Sequence, residues 1–430
     1  MLPEIMSVRR LLVAVLAPPL IVAGASSPGA PAPPAEAAVP PPAEAPALPA
    51  GVAAPPAEDA APPAEAAAAS HPDSASGPGA PARTVAAHVQ TTTTRLERLA
   101  EKVIETGTPG VALATITGDG ATTAIARGVA DRRTNRLARP DDRYRIGSIT
   151  KTMTAVVVLQ LVAEGKIGLD ARVVRWLPGL GLDERITVRH LLQHTSGFHT
   201  DTMLASPPWS YDRNRFHYFS YRDLVRIALT NPEPRRTPGT HHEYSNTNYV
   251  LAGMLIESVT DRPVGVEFAR RIIGPLGMRD TSYPVANPVI AGRHLRGYLQ
   301  DGTDKPLYDT TTYSMSWLRT AGGVVSTTRD ELTFLRALFS GKLLPRPLFG
   351  EMRSVGEFGY GLGIYPVQVP CVPGGVAWGH NGQVFGYYSA VFTTPDGSRQ
   401  AAVGANAWIM TEDGTLNPTA EQVAAAALCD

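Results

Sequence analysis

The sequence predicts an α+β fold in which an antiparallel sheet is assembled from strands near both ends of the chain while helices fill the middle. Three observations carry this. Two short apolar runs, 111–116 and 122–130, flank Gly118-Asp119-Gly120, which is a hairpin signal. The C-terminal part holds further strand-like runs at 360–369, 376–378, 386–393 and 400–407, joined by short turns such as Pro395-Asp396-Gly397, so neighbours run antiparallel. Between these ends, 152–163 and 249–256 are apolar runs that read as helices buried on most of their circumference.

The ends of the chain read differently. Arg9-Arg10, the apolar run 11–25 and the small-residue ending Ala23-Gly24-Ala25 read as a signal peptide, residues 1–25, cleaved after Ala25. The twin arginine also fits, loosely, a folded-export signal. The apolar run is shorter than a bilayer span and contains Pro18 and Pro19, so no stable membrane insertion is expected after cleavage. From Ser26 to about residue 85 the chain is mostly Pro and Ala with scattered Glu. It cannot bury enough apolar surface to fold, and its prolines favour an extended spacer. The expectation is therefore a secreted, extracellular protein whose folded domain spans 86–430, with cell-wall association open. Its sheet part covers about 90–145 and 315–430 and its helical part about 146–314.

The charge is balanced, 39 basic against 39 acidic residues, which gives no reason to expect nucleic acid or an anionic membrane surface as a partner. The two cysteines, Cys371 and Cys429, read either as a disulfide tying the C-terminus to the domain or as two buried thiols. A monomer is the default.

In order along the domain, 94–106 carries Leu96, Leu99, Val103 and Ile104 at helical spacing, with Gly107 after it. The stretch 186–198 is a short helix opened at Thr187 and closed by Ser196-Gly197. His190 and His194 lie four apart within it, but no third ligand follows at metal spacing, so these and His241-His242 read as packing or hydrogen-bonding histidines. No metal and no cofactor are expected. The irregular stretch 200–219 reads as a loop on the rim of a pocket. Ala321 to Val325 is strand-like and is capped at Ser326 or Thr327 into a helix ending near Phe339, and an Ala-rich helix over 418–428 closes the chain.

The chemistry centres on Ser148-Ile149-Thr150-Lys151 at a helix start marked by Gly147. Residues three apart share a helix face, so the lysine amine lies one turn from the serine hydroxyl. A serine hydroxyl needs a neighbouring base to attack at neutral pH, and a lysine held neutral by burial can be that base. Alone, the pair reads as well as an N-capping serine followed by a surface lysine. Two further pieces change that balance: Tyr244-Ser245-Asn246, a turn whose Tyr and Asn can face one space, and His380-Asn381-Gly382 on a strand edge.

These three pieces in this order resemble the signature set of the serine β-lactamase and penicillin-binding-protein superfamily. The similarity is to the branch of class C β-lactamases and secreted D-alanyl-D-alanine carboxypeptidases. The runs His190–Gly197 and Ala321–Thr327 are similar too, and the resemblance covers the chain after the spacer. It implies an antiparallel sheet flanked by helices on both faces with an inserted helical domain, and a site at the junction. By motif it implies Ser148 as the acylated nucleophile, Lys151 as its proton acceptor and Tyr244 as the shuttle to the leaving amine. Asn246, His380, Asn381, Gly382 and Gln383 would bind substrate, with the backbone N–H groups of Ser148 and Gln383 holding the oxyanion.

His380, where β-lactamases most often carry lysine, resembles the carboxypeptidase branch, whereas Asn381 departs from the usual threonine. No Arg or Lys lies between Arg353 and Arg399 to grip a substrate carboxylate. The implied function is an exported, penicillin-sensitive D-alanyl-D-alanine carboxypeptidase acting on peptidoglycan stem peptides, with β-lactams as alternative ligands. The alternatives are a class C-like β-lactamase and a serine esterase or D-amino-acid amidase of the same fold. A non-catalytic penicillin sensor predicts a damaged constellation, and here Ser148, Lys151, Tyr244 and Asn246 are all present.

Overall fold

The computed structural model describes residues 80–199, 214–231, 233–300, 306–409 and 419–429. The expected signal peptide and nearly all of the expected spacer lie outside the described residues, as does most of the expected rim loop 200–219.

Helix α1, Ala80–Ile104, precedes strands β1, Gly110–Ile116, and β2, Thr122–Asp131. The helix starts upstream of the expected Thr94 and takes in the last residues of the expected spacer. Pro81 falls in its first turn, where a helix has no use for the missing N–H.

Two-residue strands β3, Arg136–Leu137, and β4, Tyr144–Arg145, lead to a 3₁₀ turn at Gly147–Ile149 and helix α2, Thr150–Ala163. The middle of the chain carries α3, Val188–Leu192, α4, Tyr221–Leu229, α5, Asn246–Thr260, and α6, Val264–Phe268. It is not wholly helical, because β5, Tyr298–Gln300, and β6, Tyr308–Asp309, form a small sheet there. Then follow β7, Val325–Ser326, α7, Thr328–Phe339, α8, Arg346–Met352, and strands β8, Tyr365–Gln368, β9, Val376–Val384, β10, Tyr387–Thr393, and β11, Gln400–Ala405. Strand β12, Ala407–Ile409, and helix α9, Thr419–Ala427, complete the described chain.

The main sheet has the order β3-β2-β1-β11-β10-β9-β8 and is antiparallel throughout. Strands from the two ends of the sequence meet at β1 and β11, with Val111 opposite Ala405 and Ile116 opposite Gln400. Both strands are buried along their whole length, as central strands covered on both faces must be. Alternate residues serve the two faces. Val111 and Leu113 pack with Leu96, Leu99 and Val103 of α1 and with Val423 of α9. Ala114 and Ile116 join the larger core with Val156 and Leu159 of α2 and Leu335 of α7. Helices therefore cover both faces, as the resemblance implied.

Several boundaries differ from the sequence reading. Residues 319–321 form a 3₁₀ turn and only Val325–Ser326 is strand, because the glycines at 322 and 323 have no side chain to hold a pleat. Residues 360–364 are irregular with a bend at 362–363 rather than strand, and the run 400–407 breaks at Asn406, after which β12 pairs in parallel with β5. Cys371 and Cys429 are joined as a disulfide, the first of the two readings.

Candidate active site

Helix α2 is buried on nearly every side, including Lys151, which has no exposed surface. Its first turn is pinned to the segment 320–324. The Thr150 hydroxyl accepts the Val324 N–H at 3.1 Å, and the Thr154 hydroxyl donates to the Thr320 carbonyl at 2.8 Å. This pinning sets the Ala321 carbonyl against Lys151.

Lys151 Nζ lies 2.9 Å from Ser148 Oγ, 2.6 Å from Asn246 Oδ1 and 2.8 Å from the Ala321 carbonyl oxygen. Two of these three neighbours are amide oxygens that can only accept. As an ammonium the group donates to all three; once it loses a proton, hydrogens directed at Asn246 and Ala321 leave a lone pair for the Ser148 hydroxyl. Ser148 is partly exposed, so the hydroxyl sits between solvent and the buried amine.

Asn246 is the first residue of α5, and Tyr244 lies just before that helix. Lys151 Nζ is 4.8 Å from the centre of the Tyr244 ring. Behind Tyr244 stands His194, with ring centres 4.3 Å apart. His194 Nδ1 receives the Ser245 N–H and lies 3.2 Å from the Asn248 side-chain nitrogen. Burial, helped by the nearby Lys151, lowers the His194 pKa well below its ordinary value, so the ring is a neutral support for the Tyr-Ser-Asn turn. His190 completes a capping box with Thr187. The histidines of this stretch thus pack and hydrogen-bond, as read from the sequence. Among the described residues no cluster of three His, Cys, Asp or Glu is placed to hold a metal ion.

The third motif lies on β9. Strand β8 pairs with β9 only as far as Gly379, so among the described residues no strand covers the outer edge from His380 to Val384. The turn that carries Ser148 approaches that edge very closely. A Cβ on Gly382 would stand 2.0 Å from the Ile146 carbonyl oxygen, and one on Gly147, whose φ is +53°, would stand 2.7 Å from the Gln383 nitrogen. Only glycine fits at both positions, and their absent side chains bring the Ser148 and Gln383 backbones together at one place.

His380 is buried and tethered at both nitrogens. Nδ1 meets the Asn381 carbonyl, which accepts only, so Nδ1 carries the hydrogen; Nε2 then accepts from the Tyr360 hydroxyl at 2.9 Å. Burial and the nearby Lys151 push its pKa down to about 3, so the ring is neutral. Asn381 and Gln383 project to the opposite side of the strand, and Asn381 Nδ2 donates to Glu421 of α9 at 2.7 Å.

The arginines that bracket this motif in sequence lie elsewhere. Arg353 stacks on Phe349 and Trp378, and Arg399 flanks Gly118 at the far end of the sheet.

The structure thus brings together Ser148, Lys151, Tyr244, Asn246 and the strand 380–383. Sequence reasoning gave no role to the Ala321 carbonyl, to Tyr360 on His380 or to Glu421 on Asn381. The Ala-Gly-Gly run at 321–323 was the only signal for the first, and no local pattern marks the other two.

A serine and a buried lysine facing an uncovered strand edge define a serine hydrolase of the β-lactamase fold. The sequence profile described as Beta-lactamase matches residues 82–426, and the chain belongs to that family. Among solved structures, a D-stereospecific amidohydrolase from Streptomyces sp. is similar at 36% identity and a TM-score of 0.68, over 78% of this chain and 98% of that one. The D-amino acid amidase from Ochrobactrum anthropi SV3 complexed with L-phenylalanine amide is similar at 27% identity and a TM-score of 0.69, over 79% and 97%. Esterase EstB from Burkholderia gladioli is 35% identical over 175 residues, 38% of this chain and 44% of its own length. Protein flp of Staphylococcus aureus (strain COL) is 32% identical over 155 residues, 35% of this chain and 30% of its own. The matched part is thus less than half of either curated relative.

Proposed function

We propose that the protein is an exported serine amidohydrolase that cleaves amides of D-configured amino acids through an acyl-enzyme on Ser148. The observation that carries the chemistry is the fully buried Lys151 Nζ at 2.9 Å from Ser148 Oγ, held there by Asn246 Oδ1 and the Ala321 carbonyl. As Ser148 Oγ bonds to the amide carbonyl carbon, its proton passes to Lys151. The carbonyl oxygen takes the negative charge against the Ser148 and Gln383 N–H groups. Tyr244, beside Lys151, returns a proton to the leaving nitrogen as the C–N bond breaks, and Asn246 donates to the acyl part of the substrate. Water then repeats the sequence on the ester and frees Ser148. Export rests on residues 1–25 of the sequence alone.

Substrate charge favours this reading over the carboxypeptidase and β-lactamase readings. Stem peptides and penicillins carry a carboxylate close to the scissile bond, and gripping it calls for a cation. His380 is neutral and fully tethered, and Arg353 and Arg399 are engaged elsewhere. An amino-acid amide or a small ester needs no such grip. The similarity to the Streptomyces amidohydrolase, over almost all of that chain, supports the same choice.

The test is hydrolysis of D- and L-phenylalanine amide by the mature enzyme, with Ser148→Ala as control. Ammonia release from the D-amide that is lost in the variant is expected. Turnover confined to benzylpenicillin, or D-alanine release from an acyl-D-alanyl-D-alanine, refutes the amidase reading and reinstates the corresponding alternative.

A further inference from the structure

The polar side chains on the open edge of β9 are all uncharged, apart from one group that reaches them from another element. Glu421, in the first turn of α9, accepts from Asn381 Nδ2 at 2.7 Å and from the Tyr388 hydroxyl at 3.2 Å. Both partners are neutral donors, and among the described residues Glu421 forms no ion pair with a lysine or arginine. Asn381, Gln383 and Glu421 are each partly exposed, and Tyr388 sits opposite Gln383 in the strand pairing. The carboxyl group therefore touches the Asn381 side chain and, through Tyr388, the strand position that pairs with Gln383. Burial raises its pKa, while the hydrogen bonds it accepts favour the charged form.

We infer that Glu421 is a specificity-determining residue that turns away substrates bearing a carboxylate beside the scissile bond and admits neutral or cationic ones. Above its raised pKa the Glu421 carboxylate at this edge repels a second one in a partly desolvated site, whereas a neutral group meets no such field. This deepens the proposed function by naming the charge class of its substrates. It rests on Ser148 as the nucleophile and is independent of D-stereospecificity.

The test uses two chromogenic esters, para-nitrophenyl acetate and the same ester with a carboxylate on the leaving ring, so that the acyl group is constant. Glu421→Gln is expected to raise the ratio of kcat/KM for the carboxylated ester over the neutral one about tenfold. A merely structural role for Glu421 changes both esters together and leaves the ratio alone. A ratio within twofold of wild type overturns the inference.

A second measurement needs no variant. In the wild-type enzyme the ratio should rise with ionic strength between low salt and about 0.5 M as the repulsion is screened, and a flat response counts against the inference. If neither ester is turned over and a fluorophosphonate fails to label Ser148, the reading of the site falls and this inference with it. Turnover with an unchanged ratio overturns the inference alone.

Discussion

Adding one methyl group at Gly382 should disable the enzyme while leaving it folded. The Cβ would stand 2.0 Å from the Ile146 carbonyl oxygen and 2.7 Å from Ser389 Oγ. A carbon–oxygen contact needs roughly 3.3 Å, so β9 and the nucleophile turn must part by about 1.3 Å. The Ser389 hydroxyl, which donates to the same Ile146 carbonyl at 3.1 Å, holds the turn in place and resists that movement. Overpacking of this kind costs about 1–3 kcal/mol of stability. Its effect on the reaction is larger, because the separation opens between the two N–H groups meant to share the oxyanion. A displacement of about 1 Å lowers rates roughly 100-fold, and loss of one oxyanion donor costs about 100- to 1000-fold.

The assay is para-nitrophenyl acetate hydrolysis together with the rate of Ser148 labelling by a fluorophosphonate, with thermal unfolding measured in parallel. Gly382→Ala should lose about 100-fold in kcat/KM. Gly350→Ala, in helix α8 where a Cβ meets nothing within 4 Å, should keep full activity and gain up to about 1 kcal/mol. Activity of Gly382→Ala within threefold of wild type would refute the argument that the two backbones must touch for Ser148 to work.

Three further outcomes follow from the same geometry. Lys151→Met removes the amine that faces Ser148 Oγ and strips the Ala321 carbonyl and Asn246 Oδ1 of their donor, so the labelling rate should fall at least about 1000-fold; a fall under tenfold would mean another base serves. His380 has a pKa of about 3 in the folded chain against an ordinary value of 6.5, so below pH 6.5 the unfolded chain binds a proton that the folded chain does not. Stability should therefore drop as pH falls from 6.5 toward 3, and His380→Gln should lessen that slope by about 1.4 kcal/mol per pH unit, read from urea unfolding at several pH values. An unchanged slope would show that His380 is not held neutral. The Cys371–Cys429 disulfide spans 58 residues, and a chain-entropy estimate for such a loop is about 4 kcal/mol; Cys429→Ser should lower the unfolding temperature by several degrees, and an unchanged temperature would count against it.

The parts of the site that the sequence made legible are those whose geometry is local. Ser148 and Lys151 come together because they are three apart where a 3₁₀ turn runs into a helix, and Tyr244 and Asn246 converge because a short lead-in and a helix start fix them together. The hairpin at 118–120, the buried helix after Ser148 and the terminal helix before Cys429 follow from equally short-range patterns. Boundaries failed where tertiary context decides. The run 360–364 has strand composition but folds as an irregular, bent segment, and that segment carries Tyr360 onto His380.

The failure there bears on function. A histidine in the third motif is ambiguous in sequence, since it can be a cation for a carboxylate or a neutral spacer. Its charge is set by groups that no spacing rule connects to it, namely the Tyr360 hydroxyl at Nε2, the Asn381 carbonyl at Nδ1 and the apolar shell around both. Likewise, Glu421 reaches Asn381 only because α9 packs back across β10 and β11, and its contact could not be read from an Ala-rich stretch. The candidate catalytic residues were legible because the proposed chemistry needs fixed neighbours in the chain. Substrate charge was not, because it depends on the electrostatics of the assembled edge, and that edge turns the reading from a carboxylate-bearing peptide toward a neutral amide.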